Sequence, residues 1–441
     1  MLLRGTGRRQ WIALVAGGLL LSACTSGDGG DADTASPEGS TESAPAGEEA
    51  LWRAEPVPIV GGDVGHTRLW APDGGPVVTI SGTGVVGYDP LTGASLWELE
   101  PPTPAGTPCG ASEVNGDGIG AVMYHRNDVG DEPHCSVLVV VDTRGGEVLW
   151  HEELAGPADT VVSEGTLVTV GESVISARPD DDAPLLRFAL DGERLPPLET
   201  PEDDAASCDA RTSWELTAEH VLAWTPCGEE DVMRVAAFGT DSGQLAWTTE
   251  LEGRGRDSLT YLLPGEELAA TIGLDHLLVF DSAGEVRAEI PGVASEGVVA
   301  GSVLVLPEGP TAAGTDGFVG YDLHSGEMLW REESGIGTWL FDGVSGQRTS
   351  FDRVYAEGDP LILNEGIAEN SYAEVQQVAS LDPSTGSPTW DVTLSSGDDA
   401  DSRLTETEPL ALATRDSVIY QLAVFSETTG NRLELSAHQV P

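Results

Sequence analysis

The chain reads as an all-β protein, a β-propeller of eight blades with seven as the alternative count, and three observations predict it. A short phrase with Asp, Gly and Trp at fixed spacing recurs from residue 51 to the C-terminus, and a repeat of roughly 50 residues is the signature of a propeller or solenoid. Apolar or alternating runs bounded by turn residues flank the phrase, as β-strands do. Nothing between the copies carries the apolar period of a helix.

Residues 1–23 come first, and they read as a signal peptide. Arg4, Arg8 and Arg9 precede the apolar stretch Trp11 to Leu21, and Leu21-Ser22-Ala23 stands directly before Cys24. A positive start, a short apolar centre and small residues at the cut make a secretory signal, and the stretch is too short to span a bilayer core of about 30 Å as a helix. Leu-Ser-Ala-Cys resembles the lipobox of bacterial lipoproteins, which implies a diacylglyceryl group on Cys24 and cleavage before it. Residues 24–50 then form the lipidated Cys and an acidic tether: Asp28, Asp31, Asp33, Glu38, Glu42, Glu48 and Glu49 are set among Gly, Ser, Thr, Pro and Ala with no basic residue. Such a stretch has nothing apolar to bury and repels itself into an extended, disordered linker.

Residues 51–441 hold the repeats. The clear copies are Tyr88 to Trp97 with Asp89, Gly93 and Trp97; Val141 to Trp150 with Asp142, Gly146 and Trp150; Tyr321 to Trp330 with Asp322, Gly326 and Trp330; and Leu381 to Trp390 with Asp382, Gly386 and Trp390. Phe238 to Trp247 keeps Gly243 and Trp247 only, and Phe280 to Ala288 keeps Asp281 and Gly284. Fainter copies are placed at Ala177 to Leu186 and Phe425 to Glu434. Each copy predicts a hairpin: Asp accepts backbone N–H groups two or three residues on, and Gly supplies the left-handed conformation that closes the loop. The Trp then falls on the last strand of its unit, where an indole can wedge between sheets and donate its N–H to the next one. Earlier strands are expected at Pro76 to Ile80, Gly120 to Tyr124, Thr166 to Val170, His220 to Trp224, Ser302 to Leu306 and Leu410 to Thr414.

This pattern resembles the tryptophan-docking motif of PQQ-like, quinoprotein-type β-propeller repeats. The resemblance implies one of two activities. One branch holds calcium- and PQQ-dependent alcohol dehydrogenases; the other holds non-enzymatic scaffolds, including an outer-membrane assembly lipoprotein. The dehydrogenase branch uses two adjacent cysteines under its quinone, and no Cys-Cys pair occurs here.

Composition and cysteines narrow the function further. The 441 residues carry 74 acidic and 21 basic side chains, all of the latter Arg, for a formal charge of -53. Nucleic acid or an anionic lipid surface would require basic patches, so neither is expected as a partner. The eight His residues are scattered without zinc-ligand spacing and are expected at the surface or in turns. Asn115-Gly116-Asp117-Gly118 raises a calcium question but lacks the full loop pattern with its terminal Glu, and reads as a solvated turn. Cys109, Cys135, Cys208 and Cys227 are an even number in an exported chain and predict two disulfides; of three pairings, the local ones, Cys109 with Cys135 and Cys208 with Cys227, stay within single units.

The expectation is therefore a monomeric lipoprotein on the extracytoplasmic face of the cell membrane, touching the bilayer through its lipid only. It acts without catalysis, metal or cofactor as a binding or scaffolding module for an unidentified envelope protein or ligand. The alternatives are a PQQ- and calcium-dependent oxidoreductase and a sensor of small extracellular ligands. The long segments Arg126 to His134, Glu308 to Asp316 and Asp342 to Asp359 are the candidate contact surface. High Gly, Ala and Arg without Lys, together with the lipobox resemblance, point to an actinobacterial source.

Overall fold

The computed structural model divides the chain into Met1–Ala44 and Pro45–Pro441. It describes residues 50–55, 57–58, 67–126, 135–154, 167–179, 184–198, 212–227, 231–254, 259–263, 268–272, 276–291, 298–308, 317–331, 355–356, 359–367, 374–394, 407–427 and 430–440. Cys24, the tether up to residue 49 and Cys208 lie outside the described residues, as do most of the three long segments named above.

The described strands form eight antiparallel sheets, and the protein is a β-propeller. Six sheets are four-stranded meanders in chain order. In the first, Arg68–Trp70, Val77–Ser81, Gly84–Tyr88 and Ser95–Glu98 follow one another. Middle strands are apolar on both faces because sheets cover them on either side. Cys135–Asp142 has five fully buried residues in a row, Val137 to Val141. Fourth strands have lost one cover and alternate: Ser95–Glu98 and Glu147–Glu153 are exposed or half-buried throughout. Apolar clusters lie between successive sheets, such as the one joining Val78, Ile80 and Val85 to Val122, Val139 and Val141. The opening strand Leu167–Val170 lies against the opening strands of its two neighbours, Ala105–Ala111 and Ser213–Leu216. Thr407–Arg415 of the eighth sheet likewise lies against Arg68–Trp70 of the first, which closes the ring.

Two repeats sit elsewhere than the sequence suggests. Ala177 to Leu186 is not a docking turn. Val174–Arg178 and Leu186–Ala189 are the second and third strands of the third sheet, and the turn follows them, with the Ala189 N–H donating to Glu193 O and the Gly192 N–H to Ala189 O. This is the shortened turn also built at Asp281 to Glu285, with Ala189 where Asp normally stands, so the marker residue is missing. Among the described residues, the bridge Phe188–Arg194 alone represents a fourth strand there.

The second correction concerns closure. Phe425 to Glu434 joins the second and third strands of the eighth sheet, Val418–Glu427 and Gly430–Gln439. The outer strand comes from the other end of the fold, where Trp52 pairs with Ala437 and Arg53 with Ser436, and Val57–Pro58 continues along Leu433 and Arg432. Arg415, buried on the opening strand of this sheet, donates to the Pro72 and Gly75 carbonyls of the first sheet and packs on Tyr420, 5.6 Å from the ring centre. First and last sheets are thus clasped twice, at the rim and near the centre.

Candidate functional site

Seven sockets recur around the described ring, each a turn between third and fourth strands. At Asp89, one carboxylate oxygen accepts the N–H groups of Leu91 and Thr92, both at 2.9 Å, which holds the carboxyl below its ordinary range, the Leu91 bond acting most strongly. Asp322 is lowered by the Ser325 N–H and Asp382 by the Ser384 hydroxyl and N–H. Asp142 accepts the Arg144 N–H at 2.9 Å. The turn then closes on Gly at positive φ, +70° at Gly93, a conformation that L side chains rarely adopt.

Each socket glycine faces a side chain of the preceding sheet. The Trp97 ring lies on Gly146, Trp150 on Gly192, Trp247 on Gly284 and Trp330 on Gly386, so closely that an added methyl would overlap or crowd the indole. Trp150 Nε1 donates to Leu190 O at 2.7 Å and Trp330 Nε1 to Pro383 O at 2.6 Å. Gly93 receives Trp52, the clasp residue, whose Nε1 donates to Pro90 O at 2.9 Å. Sequence reasoning missed Trp52 because its own socket-forming turn does not exist: the unit is split between the two ends of the chain.

Two sockets are filled without Trp. Gly326 meets Ala288 and Ile290. Gly243 meets the guanidinium of Arg187, which is 4% exposed and donates through Nη2 to Thr240 O and Asp241 O. Burial draws the Arg187 pKa down and the neighbouring Asp241 partly restores it. Asp241 also accepts the Ser173 N–H and hydroxyl of the third sheet. Trp390 stands opposite Ser380 in the strand pairing of the seventh sheet.

A one-residue bulge aims the docking residues. In six sheets the pairing of third and fourth strands skips the residue just before the docking position, as between Gly87/Tyr88 and Trp97/Ser95. A bulge re-aims the next side chain and leaves its own residue unpaired. Leu96, Leu149 and Leu329, so displaced, are 54%, 42% and 45% exposed.

The same end of the fold carries the turns between first and second strands, and it holds the candidate groove. An open cavity of about 200 Å³ between the first two sheets is lined by Asp73, Gly75, Val114, Asn115, Thr143 and Arg144 among others. Asn115 is committed internally: its Oδ1 accepts the N–H groups of Asp117 and Ile119, and its amide donates to Gly171 O of the third sheet at 3.1 Å. Among the described residues no three His, Cys, Asp or Glu side chains converge as a metal site.

Of the cysteines, Cys109 and Cys135 are bridged, with Cα atoms 5.9 Å apart. Cys227 is also in a disulfide. His438 departs from the surface role expected for the histidines: it is 1% exposed on Gly430–Gln439, with Nε2 3.0 Å from Ser436 Oγ. Burial, with Arg53 nearby, pushes its pKa down to about 4.

Residues 231–433 match the family model described as outer membrane protein assembly factor BamB. No curated protein matches the chain. Among solved structures, quinohemoprotein alcohol dehydrogenase ADHIIG of Pseudomonas putida HK5 is similar at 11% identity, over 89% of this chain and 76% of that one, with a TM-score of 0.46. The C-terminal WD40 domain of Sif2 is similar at 10% identity, over 88% and 98%, with a TM-score of 0.47. A europium-containing methanol dehydrogenase is similar at 10% identity, over 88% and 96%, with a TM-score of 0.43.

Proposed function

We propose that this protein is a lipid-anchored, extracytoplasmic, non-catalytic eight-bladed propeller that serves as a binding or scaffolding module in the cell envelope. One observation carries the reading: the repeat's recurring residues are consumed by sheet-to-sheet docking. Asp bonds its own turn, Gly receives the neighbour, and the ring or its substitute fills the socket. Such a frame offers a rigid circular platform whose chemistry lies in what it holds. The match of residues 231–433 to an outer-membrane assembly factor points the same way. Lipidation at Cys24 and the acidic tether would keep the platform at the membrane surface without a spanning segment.

Crosslinking on intact cells followed by mass spectrometry tests this reading, with a reproducible envelope-protein partner as the expected result. Purified protein supplied with PQQ and calcium should show neither quinone absorbance nor dye reduction; both together would replace the scaffold by an oxidoreductase. A saturable thermal shift with a small solute and no protein partner would make it a sensor.

A further inference from the structure

Among the described residues, the three most exposed large apolar side chains belong to two segments that meet at the clasp. Leu91 is 84% exposed, and Leu51 and Leu96 are 54% each. Leu51 precedes Trp52 and Leu91 follows Pro90, the two residues joined by the indole hydrogen bond of 2.9 Å; Leu96 is the bulge residue on the strand leaving that turn. The corresponding turn position is polar in four other sheets, Arg144, Asp241, His324 and Ser384, and is the small Ala283 in the shortened turn of the fifth. The two segments carry no charge of their own, and the carboxylates of Asp89 and Glu98 stand at the two ends of the second. Residues 90–97 and 50–52 contain no ionisable side chain, Asp89 is bonded to its own turn, and Arg53 is paired with Glu434. On a chain of charge -53, two adjoining segments without a charge of their own are the kind of surface that can approach an uncharged interface.

We propose that this rim patch rests on the bilayer. The inference builds on the lipid-anchor reading, because Leu51 of the patch stands near the start of the propeller region, and Cys24 precedes it in the chain by 27 residues. A bilayer suits the position better than a second copy, which would bring two strongly acidic molecules together. The patch gives the tethered propeller a preferred edge toward the membrane, a contact additional to the lipid.

The test uses the full-length lipidated protein with an environment-sensitive fluorophore on Leu91→Cys, and on His324→Cys as the control turn. Both are mixed with phosphatidylcholine vesicles and with the same lipid brominated in its acyl chains. Expected is co-flotation of both proteins, with a blue shift and bromine quenching at residue 91 only. Co-flotation without a shift at residue 91, or with equal shifts at both, overturns the patch contact and leaves the anchor standing. Failure to float overturns the anchor reading and the inference with it. A shift at residue 91 that needs no vesicles and grows with protein concentration assigns the patch to self-association and overturns the bilayer contact.

Discussion

Trp52→Ala tests whether the ring is closed by its first strand. Trp52 is 9% exposed, donates to Pro90 O, covers Gly93 and lies 6.1 Å from the Tyr420 ring. Removing a buried indole costs about 4 kcal/mol from lost transfer energy and the residual cavity, which includes little recovery because the socket is formed by backbone. A domain of this length has an unfolding entropy near 0.8 kcal/mol/K, so the melting temperature should fall by about 5 °C. Trp150→Ala is the matched reference, since Trp150 has the same bond to Leu190 O and packs 5.4 Å from Phe188, but sits on a continuous four-stranded sheet. The difference lies in local opening. The N–H groups of Leu51 and Ala54, bonded to Ala437 O and Leu435 O, should lose hydrogen-exchange protection in Trp52→Ala and keep it in Trp150→Ala. An unchanged melting temperature, or equal protection in both variants, would refute the clasp.

Other perturbations follow from the same contacts. Arg187→Ala leaves the Gly243 socket unfilled and two carbonyls without their charged donor, and should cost about 2 to 3 kcal/mol by chemical denaturation, whereas Arg144→Ala at a turn tip should be neutral. His438 has its folded pKa lowered to about 4 from 6.5, so the unfolded chain binds the extra proton; its contribution is full above pH 6.5 and falls by about 3 kcal/mol as pH drops to 4. The lowered turn aspartates lose their contribution in the same direction as acid approaches their folded pKa values. Stability measured from pH 7 to 4 should therefore fall, and His438→Gln should flatten that slope; an equal slope in the variant would remove the assignment. Replacing Cys109 and Cys135 together by Ser opens a loop of separation 26 and should cost about 3.5 kcal/mol on the chain-entropy account, read as a lowered denaturation midpoint. The melting temperature should rise from dilute buffer to 1 M salt, where the Debye length is about 3 Å and self-repulsion of the acidic surface is screened; a flat or falling response would assign the charge no such role.

How much was readable in the sequence depended on whether a unit was covalently whole. Where third strand, turn and fourth strand run uninterrupted, as at Tyr88 to Trp97 or Tyr321 to Trp330, the Asp and Gly announce the hairpin, because local hydrogen bonds and a positive φ require those residue types. The all-β class and the repeat followed from such segments alone. Where a neighbour supplies the missing part, the signal disappears. Arg187 fills the Gly243 socket from a third strand rather than a fourth, and no spacing rule anticipates that. The bulge before each docking position left no mark either, since any side chain can occupy a residue that simply drops out of pairing.

The sequence by itself determined the strands, the turn chemistry and the acidic character, all of which are set within a few residues or by composition. Only the tertiary structure decided closure. Trp52 and Ala437 lie at opposite ends of the propeller chain, and their pairing, with Arg415 bonded to the first sheet, depends on eight sheets having turned far enough to bring those ends together. That is a property of summed geometry, and no local pattern encodes it.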